Sequence, residues 1–337
     1  MMKKIFNVNL ENRPALIAEI GVNHEGSVEK AFELISLAKE GGADAVKFQF
    51  FTPDRYVTMS QHDRFEQISK FSLNKSDFLS IKDYSIKESI PFFATPVTED
   101  WVEIISKNCE VVKIASGDLT FRPTLKRSVE LAKKIILSTG ASNIEEIENT
   151  IKYIKRKRKN ISNFLFLMHC ISAYPTPKKE INLNSIKFLR DKFKINVGYS
   201  NHTKNIDVCF YSFLFGSKMI EVHFTDRDKN REFRDHALSF TKNELKELKE
   251  KINDNLHLLG NYEKKIQKSE MNNIHLIRKG IVASKNLEPN SIIKRADLKF
   301  ARPSSFYGSD KINYLVGKKV KNFIPKNFLI KKKDLGN

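Results

Sequence analysis

Two stretches of the sequence, NVGYSNHT at residues 196–203 and MIEVHFTDRDKNREFRD at residues 219–235, decide the fold of this chain. Each contains or continues a short apolar run that predicts a buried strand, and each run is followed by a histidine, His202 or His223. Because the carboxyl ends of neighbouring parallel strands lie side by side, the two imidazoles meet at one metal or substrate if these strands are adjacent. The chain upstream then forms the scaffold of that site.

Six further strand candidates precede these two, and most of them are followed by a helical pattern. They are residues 15–20, 45–51, 91–95, 111–115, 134–139 and 164–170. Eight strand–helix units predict a closed (β/α)8 barrel, or TIM barrel, although an open doubly wound sheet gives a similar pattern. A closed barrel places its chemistry at the carboxyl ends of its strands.

The sequence predicts two domains. We expect a barrel over residues 1–259, a polar linker over 260–275 and a small β-rich domain over 276–337, where short apolar pieces alternate with turns. Within the barrel, residues 52–76 are polar and show little regular pattern, so we interpret them as a lid or binding loop. A capping box is predicted from Ser142 to Glu145.

Composition limits the classes of function. The 337 residues carry 59 basic and 40 acidic side chains, a net charge of +19, which suits an anionic substrate or polymer but also a lysine-rich solvated surface. The basic runs 152–158 and 331–333 lie in no recognisable nucleic-acid motif, so we expect no nucleic-acid partner. Three scattered cysteines and the absence of a long apolar run predict a cytoplasmic protein without a membrane partner.

Polar side chains are concentrated at the predicted strand ends. They are Glu19, Lys47, Gln49, Thr95, Lys113, Ser116 and Ser138. A lysine inside a strand is costly to bury unless an anion meets it, and two lysines with several hydroxyls suit a phosphate and a carboxylate. Glu19 is either a general base or a buried partner of Lys47, and spacing does not choose between these roles.

The histidines leave a second choice open. His202 and His223 lie on separate strands and lack the local spacing that makes a zinc motif specific. His24, His169 and His236 compete for the same role, because each lies at or near a predicted strand end or site loop.

With these residues in place, the chain resembles the sialic acid synthase family, the nonulosonate synthases that condense phosphoenolpyruvate with an N-acylated hexose. The resemblance covers nearly the whole chain and consists of ordered motifs. They are AEIGVNHEGS at 18–27, GADAVKFQ at 42–49, KIASGD at 113–118, ILSTG at 136–140, HCISAYPTP at 169–177, GYSNHT at 198–203 and EVHFTDRDKN at 221–230. The small C-terminal region looks like the antifreeze-like SAF domain of these enzymes.

The resemblance implies a role for each candidate residue. It implies a TIM barrel with Glu19 as the catalytic carboxylate and with Mn²⁺ or Mg²⁺ held by His202 and His223. Phosphoenolpyruvate is expected at Lys47, Thr95, Lys113, Ser116, Ser138 and Ser172, and the sugar at Gln49, Tyr174, Asp235 and Arg302. In the family this arginine reaches the site of the other subunit in a domain-swapped homodimer.

The chain also departs from the family pattern near the sugar. Ser172 replaces an asparagine, the loop after the second strand is shortened, residues 232–235 replace the usual Gly-Pro before the aspartate, and Ser304 stands where glycine often follows Arg-Pro. N-acetylmannosamine is the first choice of sugar, and the diacetamido hexoses of legionaminic or pseudaminic acid are the alternative. Two other classes stay open: a Schiff-base aldolase using Lys113 or Lys47, and a basic protein that binds an anionic polymer.

Overall fold

The structure, a computed structural model, describes residues 1–227, 233–260, 263–304 and 306–336, and only the main chain of Arg234. The chain divides into two compact units, Met1–Gly260 and Asn261–Asn337.

In the described part of the first unit, a short hairpin of β1 (Lys4–Ile5) and β2 (Val8–Asn9) precedes eight parallel strands that close into a barrel. The barrel strands are β3 (Ala15–Gly21), β4 (Ala45–Phe50), β5 (Phe92–Pro96), β6 (Val111–Ile114), β7 (Lys134–Ser138), β8 (Leu165–His169), β9 (Val197–Asn201) and β10 (Met219–His223). The pairing of β10 with β3 closes the ring, so the predicted TIM barrel is confirmed and the open sheet is excluded. The strands are apolar on both faces because helices cover the outside and side chains fill the inside.

Helices follow the strands around the barrel. They are α1 (Val28–Glu40), α2 (Pro53–Tyr56), α3 (His62–Phe71), α4 (Lys75–Lys87), α5 (Val102–Asn108), α6 (Arg122–Leu131), α7 (Ile144–Lys157), α8 (Asn184–Phe193), α9 (Ile206–Leu214), α10 (Arg234–Leu238) and α11 (Lys242–Asn255). The capping box of α7 lies one residue later than predicted: the Asn143 side chain accepts from Glu146 N at 3.0 Å, and Glu146 accepts from Asn143 N at 2.8 Å. An asparagine caps as well as a serine does, so composition alone did not fix the register.

The prediction of an irregular loop over residues 52–76 was wrong, because α2, α3 and the start of α4 lie there. A small apolar cluster explains the order: Val57 and Ile68 pack with Val22 and Phe51. These four residues are far apart in the sequence or isolated among polar neighbours, so no periodic pattern reveals them.

The second unit has its own core. It contains α12 (Lys268–Met271), α13 (Ile274–Ile277), β11 (Gly280–Ala283), β12 (Leu298–Ala301) and α14 (Ile312–Leu315), and β11 pairs with β12 in antiparallel fashion. Ile281, Ile293, Val320 and Ile330, each from a predicted apolar piece, are buried together. The predicted linker 260–275 contains regular structure, namely α12 and the start of α13.

Among the residues that the structure describes, no helix is both long and apolar enough to span a bilayer. The basic run at the end of α7 exposes Lys155 and Arg156. Arg158 has a packing role instead, since it donates to Ala132 O at 2.7 Å and lies 3.8 Å from the centroid of the Phe164 ring. Most of this run is therefore a solvated helix end.

We expect Gly198→Ala to destabilise the barrel. A Cβ at Gly198 in β9 would lie 2.4 Å from Met168 Sδ and 2.8 Å from the backbone oxygen of Met219, so two neighbouring strands would have to move. Overpacking of this kind costs about 1–3 kcal/mol of the free energy of unfolding. Urea denaturation measures the loss, with Gly117→Ala as the control because no atom lies within 4 Å of its Cβ. Equal midpoints for the two variants would contradict the prediction.

Candidate active site

A cavity of about 730 Å³ opens at the carboxyl ends of the barrel strands. Every site residue predicted in the first unit lines it: Glu19, Lys47, Gln49, Thr95, Lys113, Ser116, Ser138, Ser172, Tyr174, His202, His223 and Asp235. A volume of this size is typical of a site for small molecules. Arg302, the remaining predicted site residue, belongs to the second unit, where it follows β12 and is exposed.

Four buried charges of alternating sign form the floor of the cavity. Lys47 Nζ lies 2.8 Å from Glu19 Oε2 and 3.6 Å from Glu221 Oε1, and Lys113 Nζ donates to both oxygens of Glu221 at 2.8 and 3.0 Å. The side chains are at most 5% exposed. One of the two roles expected for Glu19, that of a buried partner of Lys47, is therefore present. The anionic partners of both lysines are carboxylates of the chain itself.

The two lysines differ in their electrostatics. Burial opposes the charge of Lys47, but Glu19 and Glu221 outweigh it and raise the pKa of Lys47 above its usual range. Burial lowers the pKa of Lys113, since Glu221 compensates only partly and Lys47 adds repulsion. Burial also opposes the charge of Glu221, yet Lys113 and Lys47 hold the pKa of Glu221 well below its ordinary value. Pairing therefore favours the charged forms of Lys47 and Glu221, whereas burial works against the charge of Lys113.

Hydroxyl groups and a thiol form the wall beside the lysines. Ser116 Oγ lies 3.2 Å from Cys170 Sγ, and both groups pack over Gly140. A Cβ at Gly140 would lie 2.8 Å from Ser116 Oγ, 2.5 Å from Ser172 Oγ and 2.9 Å from Cys170 Sγ. The ILSTG motif thus supplies the bare backbone on which these three groups converge.

His202 and His223 face each other across the rim, with ring centroids 5.5 Å apart. His202 Nδ1 lies 2.6 Å from Ile171 O, and because a carbonyl oxygen only accepts, Nδ1 carries the proton and Nε2 has a free lone pair. Burial and the neighbouring His223 lower the pKa of His202 to about 3, so the ring is neutral. Among the residues that the structure describes, His223 Nδ1 is buried without a hydrogen-bond partner.

The rival histidines serve other contacts. His24 Nδ1 accepts from Gly26 N at 3.1 Å, and burial lowers the pKa of His24 to about 4. His169 Nε2 lies 2.8 Å from Ile181 O, and His236 Nδ1 lies 2.8 Å from Thr225 Oγ1. The imidazoles that line the cavity are those of His202 and His223. Of the five candidate histidines, these two are therefore the ones that the structure brings together in the cavity.

Tyr174 and Asp235 complete the rim. Tyr174 stacks on His202 at 4.2 Å between centroids, and Asp235 Oδ2 lies 3.8 Å from His223 Nδ1. Gln49 Nε2 donates to Glu19 Oε1 at 2.8 Å, which joins the rim to the charged floor. Of the departure from the family at residues 232–235, Glu232 and the side chain of Arg234 lie outside the described residues.

Sequence reasoning missed Glu221 of the floor and the neighbouring Ser200, whose hydroxyl donates to Glu221 Oε1 at 3.0 Å. Side chains alternate between the faces of a strand, so residues two apart share a face. Glu221 precedes His223 by two positions and Ser200 precedes His202 by two, and this spacing was the available signal. Four further lining residues, Tyr56, Arg64, Gln67 and Phe233, were not singled out because they lie in or beside the unpredicted helices.

Comparison with known proteins agrees with this geometry. The model of the NeuB family matches residues 34–264, which is more than half of the chain. The chain belongs to the NeuB family. A model of the SAF domain matches residues 278–336, within the second unit.

Relatives of this NeuB-family chain span nearly its whole length. An uncharacterized protein of Methanocaldococcus jannaschii is 38% identical over 91% of this chain and 90% of its own length. An N,N'-diacetyllegionaminic acid synthase of Campylobacter jejuni is 34% identical over 90% of this chain and 94% of its own. The crystal structure of an N-acetylneuraminic acid synthetase from Leptospira borgpetersenii matches with 30% identity and a TM-score of 0.73, covering 78% of this chain and 91% of that one.

We expect Gly140→Ala to weaken the binding of an anionic ligand without unfolding the barrel. The new methyl group would displace the γ atoms of Ser116, Ser172 and Cys170, whereas no backbone atom is among its three nearest contacts. Isothermal titration with phosphoenolpyruvate, the anion that the sequence resemblance implies, should show a Kd raised by about tenfold, the effect of losing one hydrogen bond or two. An unchanged Kd would show that these hydroxyl groups do not contact the anion.

Proposed function

We propose that this protein condenses phosphoenolpyruvate with an N-acylated amino sugar to give a nine-carbon nonulosonic acid and phosphate. The observation that carries the proposal is the convergence of two buried lysines, a group of hydroxyls and two facing imidazoles in one barrel cavity of a NeuB-family chain. The family relatives named above include synthases of legionaminic and N-acetylneuraminic acid.

The floor suits the anionic substrate. An ammonium group has three N–H donors. Lys113 directs two of them to Glu221, which leaves one donor for a carboxylate or phosphate oxygen. Lys47 donates to Thr95 Oγ1 at 3.4 Å and is ion-paired with Glu19 and Glu221, so it adds positive charge beside that donor. The hydroxyls that line the same cavity, those of Ser116, Ser138 and Ser172, add neutral donors beside them.

The opposite side suits a polar sugar. Gln49, Tyr174 and Asp235 present an amide, a phenol and a carboxylate around the rim, and Glu19 of the floor adjoins Gln49. Such groups recognise sugar hydroxyls and amides by hydrogen bonding, and the phenol ring also offers a flat face. Glu19 is joined to Lys47 and Gln49, so its carboxylate is held in one orientation from which it orients or deprotonates a hydroxyl.

A divalent metal, Mn²⁺ or Mg²⁺, fits the two imidazoles. His202 offers Nε2 and His223 has a buried nitrogen without a hydrogen-bond partner in the described chain. Since no group of three or more histidine, cysteine or acidic side chains able to hold a metal exists among the described residues, most ligands would be water or substrate oxygens. When bound, the metal would polarise the aldehyde oxygen of the open-chain sugar.

The proposed reaction forms a C–C bond and then releases phosphate. C3 of phosphoenolpyruvate attacks the aldehyde carbon, a C–C bond forms, and the carbonyl electron pair takes a proton to become a hydroxyl. Water adds to the oxocarbenium carbon that remains at C2, and the C–O bond to phosphate breaks to leave the keto acid. Lys47 and Lys113 hold the carboxylate and phosphate during these steps, and the buried floor excludes bulk water from below.

The sugar has two candidates. N-acetylmannosamine is the first and needs only the polar rim. A diacetamido hexose is favoured by the outer wall, where Val22, Ile68, Val97 and Phe233 line the cavity and suit an additional methyl-bearing group. The Campylobacter relative is a diacetyllegionaminic acid synthase.

A Schiff-base aldolase is the rival enzyme class, because burial lowers the pKa of Lys113 and a neutral amine is what that mechanism needs. Two hydrogen bonds to Glu221 tie the same nitrogen down, and this arrangement favours an anion-binding lysine. The three cysteines are free and buried, which agrees with the proposed cytoplasmic location.

The decisive experiment measures phosphate release from phosphoenolpyruvate against a panel of N-acyl hexoses. We expect release only when both substrates are present, and the sugar with the highest kcat/KM identifies the acceptor. A preference for diacetamido sugars would select the second candidate. No release with any sugar of the panel would contradict the proposed function.

Metal removal and borohydride trapping serve as controls in the same assay. EDTA should stop phosphate release and Mn²⁺ should restore it in the wild-type protein but not in His202→Ala. Borohydride should trap no lysine adduct with pyruvate. A trapped adduct at Lys113 together with EDTA-resistant turnover would support the aldolase instead.

We also propose that Arg302 acts in the partner subunit of a homodimer, as the family resemblance implies. Arg302→Ala and Glu19→Ala subunits, each inactive alone, should then regain about a quarter of wild-type activity when mixed and refolded in equal amounts, because half of the dimers hold one intact site. Phosphate release measures the recovery. The molar mass from light scattering checks that the mixed sample is dimeric. No recovery despite mixed dimers would place Arg302 in the site of its own chain or outside it.

A further inference from the structure

The segment that carries Asp235 leaves the barrel after β10 and returns to the same place. Phe224 and Phe240 form a parallel bridge, Phe240 N donates to His223 O at 2.7 Å, and Thr225 N donates to Phe240 O at 2.9 Å. Both ends of the excursion are thus fixed beside β10. Within it, α10 presents Asp235 to the cavity.

Helix α10 has only five residues, so its own hydrogen bonds do not fix its orientation. External contacts must hold it: Phe233, just before α10, packs on Phe71 of α3, and further contacts come from the loop that follows β3. Asn23 Nδ2 donates to Phe224 O at 2.8 Å and to Ser239 Oγ at 3.0 Å, and Ser239 Oγ donates to Asp235 O at 2.6 Å. Asn23 therefore joins the two ends of the excursion.

A second contact fixes the rotation of α10. The imidazole of His236 is 1% exposed, with Nδ1 at 2.8 Å from Thr225 Oγ1 and Nε2 at 3.4 Å from Glu25 Oε1. The ring is thus held between the end of β10 and the loop after β3. Adjacent residues of a helix point about 100° apart, so fixing His236 fixes the direction of Asp235.

This orientation of Asp235 places its carboxylate beside His223 at the rim of the cavity. Asp235 Oδ2 lies 3.8 Å from His223 Nδ1, and both side chains line the cavity. A small rotation of α10 would carry the carboxylate away from the histidine. Glu25 lies outside the set of lining residues and is 30% exposed, and its contact with His236 connects it to α10.

We infer that Glu25 is a positioning residue: through His236 it holds the Asp235 carboxylate towards His223 and so sets the affinity for the second substrate, the sugar. The role of Asp235 as a sugar contact rests on the proposed function. The inference adds a residue of the NHEGS stretch that lies behind the site. Its effect should fall on the sugar side, because the contacts described for His236 are to Thr225 and Glu25 and not to the four charges of the floor.

The test compares Glu25→Ala, Glu25→Gln and the control Glu40→Ala. Glu40 is an exposed carboxylate at the end of α1, and its ion pair with Lys242 is solvated, so its removal should change little. Loss of an outer partner typically changes function about 10–100-fold, so Glu25→Ala should raise KM for the sugar by about that factor with KM for phosphoenolpyruvate unchanged. Glu25→Gln should recover most of the loss, since its side chain has the same length and keeps an oxygen beside His236 Nε2.

Hydrogen exchange of the peptide spanning residues 233–240 gives a second readout that needs no activity. It should be faster in Glu25→Ala than in wild type and unchanged in Glu40→Ala. Equal changes in both KM values, or no change in either, would overturn the inference in an active enzyme. If the wild type releases no phosphate with any sugar, the proposed function fails, and the exchange result alone then decides whether Glu25 positions α10: unchanged exchange would overturn it.

Discussion

Four buried charges, Glu19, Lys47, Glu221 and Lys113, alternate across the floor of the barrel, and the rest of the structure depends on their pairing. Each charge alone would cost several kcal/mol to bury, and breaking one pair would leave the next uncompensated. Because the Lys113 ammonium has one N–H more than the two that it donates to Glu221, the same pairs that stabilise the floor also provide a donor for an anion. Stability and ligand binding thus rest on one set of interactions.

The closure of the barrel brings these pairs into register. Glu19 is opposite Lys47 on one side and opposite His223 on the other, while Glu221 is opposite Ser200. A slip of one residue in any of these pairings would turn the side chains to the outside of the barrel. The buried charges therefore select the register as strongly as the apolar side chains do, because a lysine facing the helix layer would have no partner.

Particular elements show how much of the structure the sequence predicts. The strand–helix alternation, the side chains at the strand ends and the ordered motifs predicted the barrel and most residues of the cavity. The cap of α7 moved by one residue, since Ser142 and Asn143 cap equally well and only the strand before them sets the start of the helix. The helices of residues 53–71 were missed because their burial depends on Val22 and Phe51, which lie outside the segment.

The sequence by itself determined the eight strands, their polar ends and the membership in a family, because periodicity and motifs are local properties of the chain. Only the tertiary structure decided which of five histidines face each other and which carboxylate each lysine meets. Lys113 and Glu221 are 108 residues apart, and no local pattern relates them. Closure of the ring brings them within 2.8 Å, and burial then makes their pairing obligatory, because neither charge is stable in the floor without the other.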